Sequence, residues 1–124
     1  MRDRTLWTWH IAAGVVILVF LGLHMAIMHM SNLLGLFNPA GGRPVEWANV
    51  LARSQSVFFM VTYIVLLGAA LFHGFYGLRN ILVELSPPPW LKTTVNAVLL
   101  IGGLGLFALG TWAAIAANHL PHAA

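Results

Sequence analysis

The sequence predicts an all-α membrane protein: three transmembrane helices in one domain covering residues 1–124, forming part of a helical bundle. Two observations carry this. Sixty per cent of the 124 residues are hydrophobic and only 7% are charged, where an ordinary soluble domain is about one quarter charged, and the mean hydropathy is +0.85. The apolar residues also fall into three runs, each longer than the ~20 residues that cross about 30 Å of hydrocarbon at 1.5 Å per residue.

The first run extends from Trp9 to Leu36. The apolar stretch after Arg2 and Arg4 is far longer than a secretory core and has no small-residue cleavage site after a short one, so this segment is expected to stay in the mature protein. Phe37 to Trp47 then reads as an irregular loop, because Pro39, Gly41, Gly42 and Pro44 break regular structure. The second run covers Val57 to Leu82. Ser86-Pro87-Pro88-Pro89-Trp90 is expected to end it and act as a stiff spacer before the third run, Thr94 to Asn118. Trp7, Trp9, Trp47, Trp90 and Trp112 lie near run ends, where amphipathic rings favour the membrane interface.

Three spans put the termini on opposite sides. Arg2, Arg4, Arg79 and Lys92 then share one side and Arg43 and Arg53 the other, and four cations against two orient the N-terminus to the cytoplasm. Six cations against three acids are few for so apolar a chain. They read as topology signals and exclude a nucleic-acid patch. Without cysteine there is no disulfide, thiolate metal site or iron–sulfur ligation in this chain. Small residues at Ala70, Gly74, Gly102, Gly103 and Gly105 allow close helix approach.

The histidines carry the functional signal, because an ionisable residue inside a membrane segment points to a proton relay, an ion site or a cofactor ligand. His10, His29, His119 and His122 lie toward run ends and read as interfacial. His24 and His73 are deeper. His24 lies about 22 Å along the first helix from the inner side, and His73 about 24 Å along the second from the outer side. They therefore sit at different depths, which suggests either two separate sites, each completed by another chain, or one site and one bystander. His29 is turned about 140° from His24, and His24, deeper and close to Gly22, is the stronger ligand of the two. Spacing alone leaves open which of His24, His29 and His10 would ligate. Around His73, the residues Ala69, Tyr76, Gly77, Asn80 and Glu84 share one helical face. Small groups thus flank the imidazole and polar ones continue toward the inner mouth, which suits a pocket for haem or quinone. Arg79 has two readings, pairing with a carboxylate such as a haem propionate or snorkelling to the headgroups. Zinc is disfavoured, since further ligands at matching depth are missing. Bis-histidine haem asks only one ligand of each contributing helix.

In these features the chain resembles a membrane-anchor subunit of succinate:quinone oxidoreductase, the succinate dehydrogenase and fumarate reductase family (complex II). The resemblance rests on three spans in about 120 residues, on the pattern His-x3-Gly-x-Arg-x4-Asp/Glu formed by His73, Gly77, Arg79 and Glu84, and on Gly22-Leu23-His24-Met25. It implies that His73 is an axial ligand of an inner b-type haem and that His24 ligates a second haem nearer the outer face. Each haem would be shared with a histidine of a second membrane-anchor subunit that completes the bundle. It further implies a flavoprotein and an iron–sulfur subunit docked on the cytoplasmic side of a bacterial or archaeal cytoplasmic membrane, passing electrons from succinate oxidation to quinone. This chain would contribute at most a quinone site, with no catalytic residue of its own. The tyrosine that follows the motif acid in some anchors is Leu85 here, and Glu84 replaces the commoner aspartate. That leaves Tyr76, Trp90 and Glu84 as candidates for the quinone and proton mouth. Two alternatives stand beside this reading: the dihaem cytochrome b subunit of another dehydrogenase, such as a formate dehydrogenase or nitrate reductase type, and a haem-free structural or transport subunit.

Overall fold

The structure is a computed structural model that describes residues 2–30 and 41–121, Arg2 and Asp3 by backbone alone. The described residues form four helices and no strand: α1 (Arg2–His29), α2 (Trp47–Ser54), α3 (Val57–Glu84) and α4 (Pro89–Asn118). Three of them, α1, α3 and α4, are long and apolar enough to cross a bilayer. The chain is thus an all-α integral membrane protein.

Each long helix exceeds the hydrocarbon core. The 28 residues of α1 rise about 42 Å, which reaches into the headgroup layers on both sides. The helix begins at Arg2 instead of near residue 9 and has ended by Met30. The expected continuation to Leu36 and the start of the loop, up to Ala40, lie outside the described residues, as does His122. The second correction is at α4, which begins at Pro89 and not near Thr94. Pro89 occupies the first turn, where a missing N–H costs nothing and the fixed φ suits a helix; the stiff spacer therefore shrinks to Ser86, Pro87 and Pro88. Before it, α3 stops sharply. Ser86 takes a left-handed φ of 53°, its N–H donates to the Val83 carbonyl at 3.1 Å, and the prolines that follow cannot continue the helix.

A further helix, α2, lies between the first two spans, just after the glycine- and proline-rich loop. Its short amphipathic turn is built around two buried polar side chains. Asn49 is fully buried, and its Nδ2 donates to the carbonyls of Gly41 at 2.7 Å and Arg43 at 3.1 Å. The buried Arg53 donates from Nη2 to the Pro44 carbonyl at 2.5 Å. Both side chains satisfy loop carbonyls that would otherwise be orphaned. The same element is clasped to the far end of the chain: Asn118 Nδ2 donates to the Ser54 carbonyl at 3.1 Å, and Gln55 Nε2 donates to the Leu120 carbonyl at 2.9 Å. This cap closes the bundle at the N-terminal end of α3 and the C-terminal end of α4.

The spans form a row with α3 in the middle, packed on α1 along one side and α4 along the other. Lipid tails are as apolar as leucine, so such helices are held by close packing and not by burial from water. Glycines supply the closeness. A methyl group at Gly103 would lie 3.1 Å from Phe75, one at Gly68 would lie 3.2 Å from Phe107, and Gly110 is filled by Leu67. Of the small residues singled out in the sequence, Gly74, Gly102 and Gly105 meet no neighbouring atom within 4 Å. The five tryptophans are all more than half exposed, in keeping with rings at the two interfaces.

Candidate functional site

The seam between α1 and α3 is built from one small pattern used twice. His10 and Gly14 are one turn apart on α1; His73 and Gly77 are one turn apart on α3. Because the two helices run antiparallel, each histidine lies on the other helix's glycine. A methyl group at Gly14 would lie 3.1 Å from His73 Cε1, and one at Gly77 would lie 3.3 Å from His10 Cε1. With no side chain in the way at either glycine, the imidazoles meet face to face, ring centroids 4.1 Å apart and planes 4° from parallel.

The stack extends on both sides. Trp7 lies on His10 at 5.5 Å, and Tyr76 is tilted against His10 at 5.3 Å and stacks on Phe72 at 5.6 Å. His73 Nδ1 donates to the His10 carbonyl at 3.0 Å. A carbonyl can only accept, so this bond fixes the proton on Nδ1 and leaves the Nε2 lone pair of the neutral ring for a proton or a metal. Among the described residues Nε2 has no hydrogen-bond partner and is not sealed, whereas His10 Nδ1 is buried without a partner.

His24 is at the other end of the bundle. Its ring meets the edge of Tyr63 at 6.2 Å, beside a cavity of about 20 Å³ bordered by Thr62, Phe59 and Ile27. Tyr63 and His73 are ten residues apart on α3, so the His24 level and the His73 level are about 15 Å apart along the helix. A cavity of this size holds about one water. His29 and His119 are exposed and bond back to their own helices, at Met25 and Ile115 respectively.

The remaining candidates divide. Tyr76 and Gly77 belong to the His10–His73 seam. Arg79, about 120° around α3 from His73, turns toward α4: its Nε donates to Asn96 Oδ1 at 2.7 Å and its Nη1 to Asn80 Oδ1 at 3.4 Å. It lies at the mouth of an apolar groove of about 690 Å³ between α3 and α4. Glu84 and Trp90 are exposed at the C-terminal end of α3 and the N-terminal end of α4 and do not line that groove. From sequence alone His10 reads as interfacial and stays open as a ligand, with nothing placing it against His73, and Asn96 is missed. The repeated His-x3-Gly spacing could have flagged the first, and a lone amide in an apolar run the second.

As a haem site, this arrangement fits one mode and not another. Rings in contact at 4.1 Å leave no gap for a macrocycle between His10 and His73. His73 does have the features of an axial ligand, with Nδ1 tied to a carbonyl and Nε2 free. The water-sized cavity beside His24 has no room for a macrocycle between α1 and α3. Among the described residues no group of three or more histidine, cysteine, aspartate or glutamate side chains could hold a metal ion. Comparison with protein-family models, with curated proteins and with solved structures gives no match.

Proposed function

We propose that this chain is a haem b-binding membrane anchor of a succinate dehydrogenase or fumarate reductase type complex. It would tether a flavoprotein and an iron–sulfur subunit to the cytoplasmic side of the membrane and pass electrons to quinone. The observation that carries this reading is the hydrogen bond from His73 Nδ1 to the His10 carbonyl, which fixes the ring's orientation and tautomer and leaves Nε2 open, as the outer partners of metal-bound histidines do. Gly77 and Gly14 keep the space beside the rings free of side chains. Bound haem supplies a one-electron carrier whose potential depends on its axial ligands and surroundings. The residues of this chain hold and orient it: His73 as one axial ligand, Tyr76 and Phe72 as aromatic wall, with a histidine of the second anchor subunit opposite. Arg79 is turned away from His73 toward Asn96, and a role for it at a propionate would require the guanidinium to swing back. His24 would serve a second haem only from a face shared with the partner.

The test is the dithionite-reduced minus oxidised spectrum of the purified complex, with haem quantified per chain. A b-type signal present in the wild type and lost in His73→Ala is expected. Retention of the full signal in that variant would sink the assignment.

A second reading has its own supporting observation. The direct contact of the two imidazoles at 4.1 Å suits a haem-free subunit in which His10 and His73 pack the seam. It predicts no Soret absorption, and unchanged assembly when His73 is replaced by a neutral residue of similar shape.

A further inference from the structure

The groove between α3 and α4 opens beside the histidine seam and shares Phe72 and Tyr76 with it, but neither His10 nor His73 lines it. Its walls are apolar, with Phe72, Phe75, Leu99 and Leu100 along the inner half and Gly68 and Phe107 at the deep end, and its only charged lining residue is Arg79. Gly68 and Arg79 are 11 residues apart on α3, a rise of about 16 Å. That is close to half of the ~30 Å hydrocarbon core. The groove is therefore one leaflet deep, and its cation is at the end where headgroups lie.

Arg79 is bonded only to neutral oxygens, those of Asn96 and Asn80. Among the described residues no carboxylate lies within 4 Å of it. A guanidinium has five donors in a rigid fork that matches phosphate oxygens; the two amides engage one donor each and leave the rest for an anion. Lys92 lies one turn before Asn96 on the same face of α4, which adds a second positive charge nearer the membrane surface. A zwitterionic headgroup offsets its phosphate with its own cation, so the two positive charges favour a headgroup of net negative charge.

We propose that this groove is a binding site for an anionic phospholipid of the leaflet on the N-terminal side, one acyl chain along Phe75 and Leu100 and the phosphate on the free donors of Arg79. The lipid would join α3 to α4 at the end that the α2 cap does not reach. This inference rests on the groove and its charge, and not on the haem reading.

The experiment uses the full chain, with any subunits that co-purify, reconstituted in vesicles of phosphatidylcholine mixed with phosphatidylglycerol. It is then exchanged into detergent, and the lipid retained per chain is measured by mass spectrometry. Wild type is expected to retain phosphatidylglycerol about tenfold over phosphatidylcholine, the factor appropriate to one charge-assisted contact. Arg79→Gln is expected to bring the two lipids near parity, with helix content by circular dichroism unchanged. Leu100→Trp, which fills the groove and leaves the charge, is expected to lower retention of both, and inorganic phosphate is expected not to compete. Equal retention of the two lipids by wild type, competition by inorganic phosphate, or displacement of the lipid by a quinone would each overturn the proposal. So would loss of haem with phosphatidylglycerol retained in Arg79→Gln, which would assign the guanidinium to a propionate.

Discussion

Gly14 leaves open the space that the ring of His73 requires: a methyl group at that position would lie 3.1 Å from Cε1 and 3.3 Å from Nδ1. The ring cannot easily yield, because its Nδ1 is tied to the carbonyl of His10. Two helices that would otherwise slide past each other in lipid are thereby held in one register by a hydrogen bond and two stacked imidazoles.

Gly14→Ala should therefore destabilise the protein by about 1–2 kcal/mol, an overpacking cost partly offset by the better helix propensity of alanine. Gly74→Ala is the matched control. Nothing lies within 4 Å of the position where its methyl would be, so only the propensity gain of up to ~1 kcal/mol remains. Thermal unfolding in detergent, followed by circular dichroism, should lower Tm for the first variant and hold or raise it for the second.

His10 touches His73 through its backbone carbonyl and through its ring. His10→Phe keeps the carbonyl and a flat ring. If His73 is the haem ligand, the b-type signal should persist in this variant with a shifted potential, whereas His73→Ala should abolish it. Redox titration of both variants checks this, and loss of the signal in His10→Phe would transfer the ligand role to His10.

Asn49 holds the loop before α2 by donating to two carbonyls. Replacing it with leucine, similar in volume, removes the partner of those two acceptors on an exposed loop, at a cost of about 0.5–1.5 kcal/mol. Faster cleavage by protease added from the α2 side of proteoliposomes is the expected result, with α1 and α3 protected.

Ser86 is the one residue other than glycine with a left-handed φ among the described residues. Glycine adopts that conformation at no steric cost, so Ser86→Gly should stabilise the α3 to α4 turn by up to about 1 kcal/mol. Ser86→Val should lower Tm, because a β-branched side chain strains most at positive φ.

Hydropathy and length made the three spans legible, since a segment that apolar and that long has few alternatives once water is excluded. The separation of His24 from His73 followed from helical rise alone, and their two levels are about 15 Å apart here. Periodicity also grouped Tyr76 and Gly77 with His73. What it could not give was the partner across the seam. Helical spacing tells which residues share a face, but not which face of another helix it meets or at what height. His10 therefore looked like an interfacial histidine until α3 was placed against it. Arg79 likewise looked like a neighbour of the His73 pocket along the chain, yet the packing of α4 turned it to Asn96.

The cap shows the same division. Asn49 and Arg53 follow the glycine- and proline-rich loop that ends at Trp47, and local sequence reads Arg53 only as a topology charge and assigns Asn49 no role. Only the folded chain supplies the carbonyls of Gly41, Arg43 and Pro44 that make burying them favourable. The sequence by itself determined how many times the chain can cross a bilayer and which residues are costly there, because both follow from transfer into hydrocarbon one segment at a time. The tertiary structure alone decided what those costly residues meet, because contacts between helices depend on register and rotation that no single segment encodes.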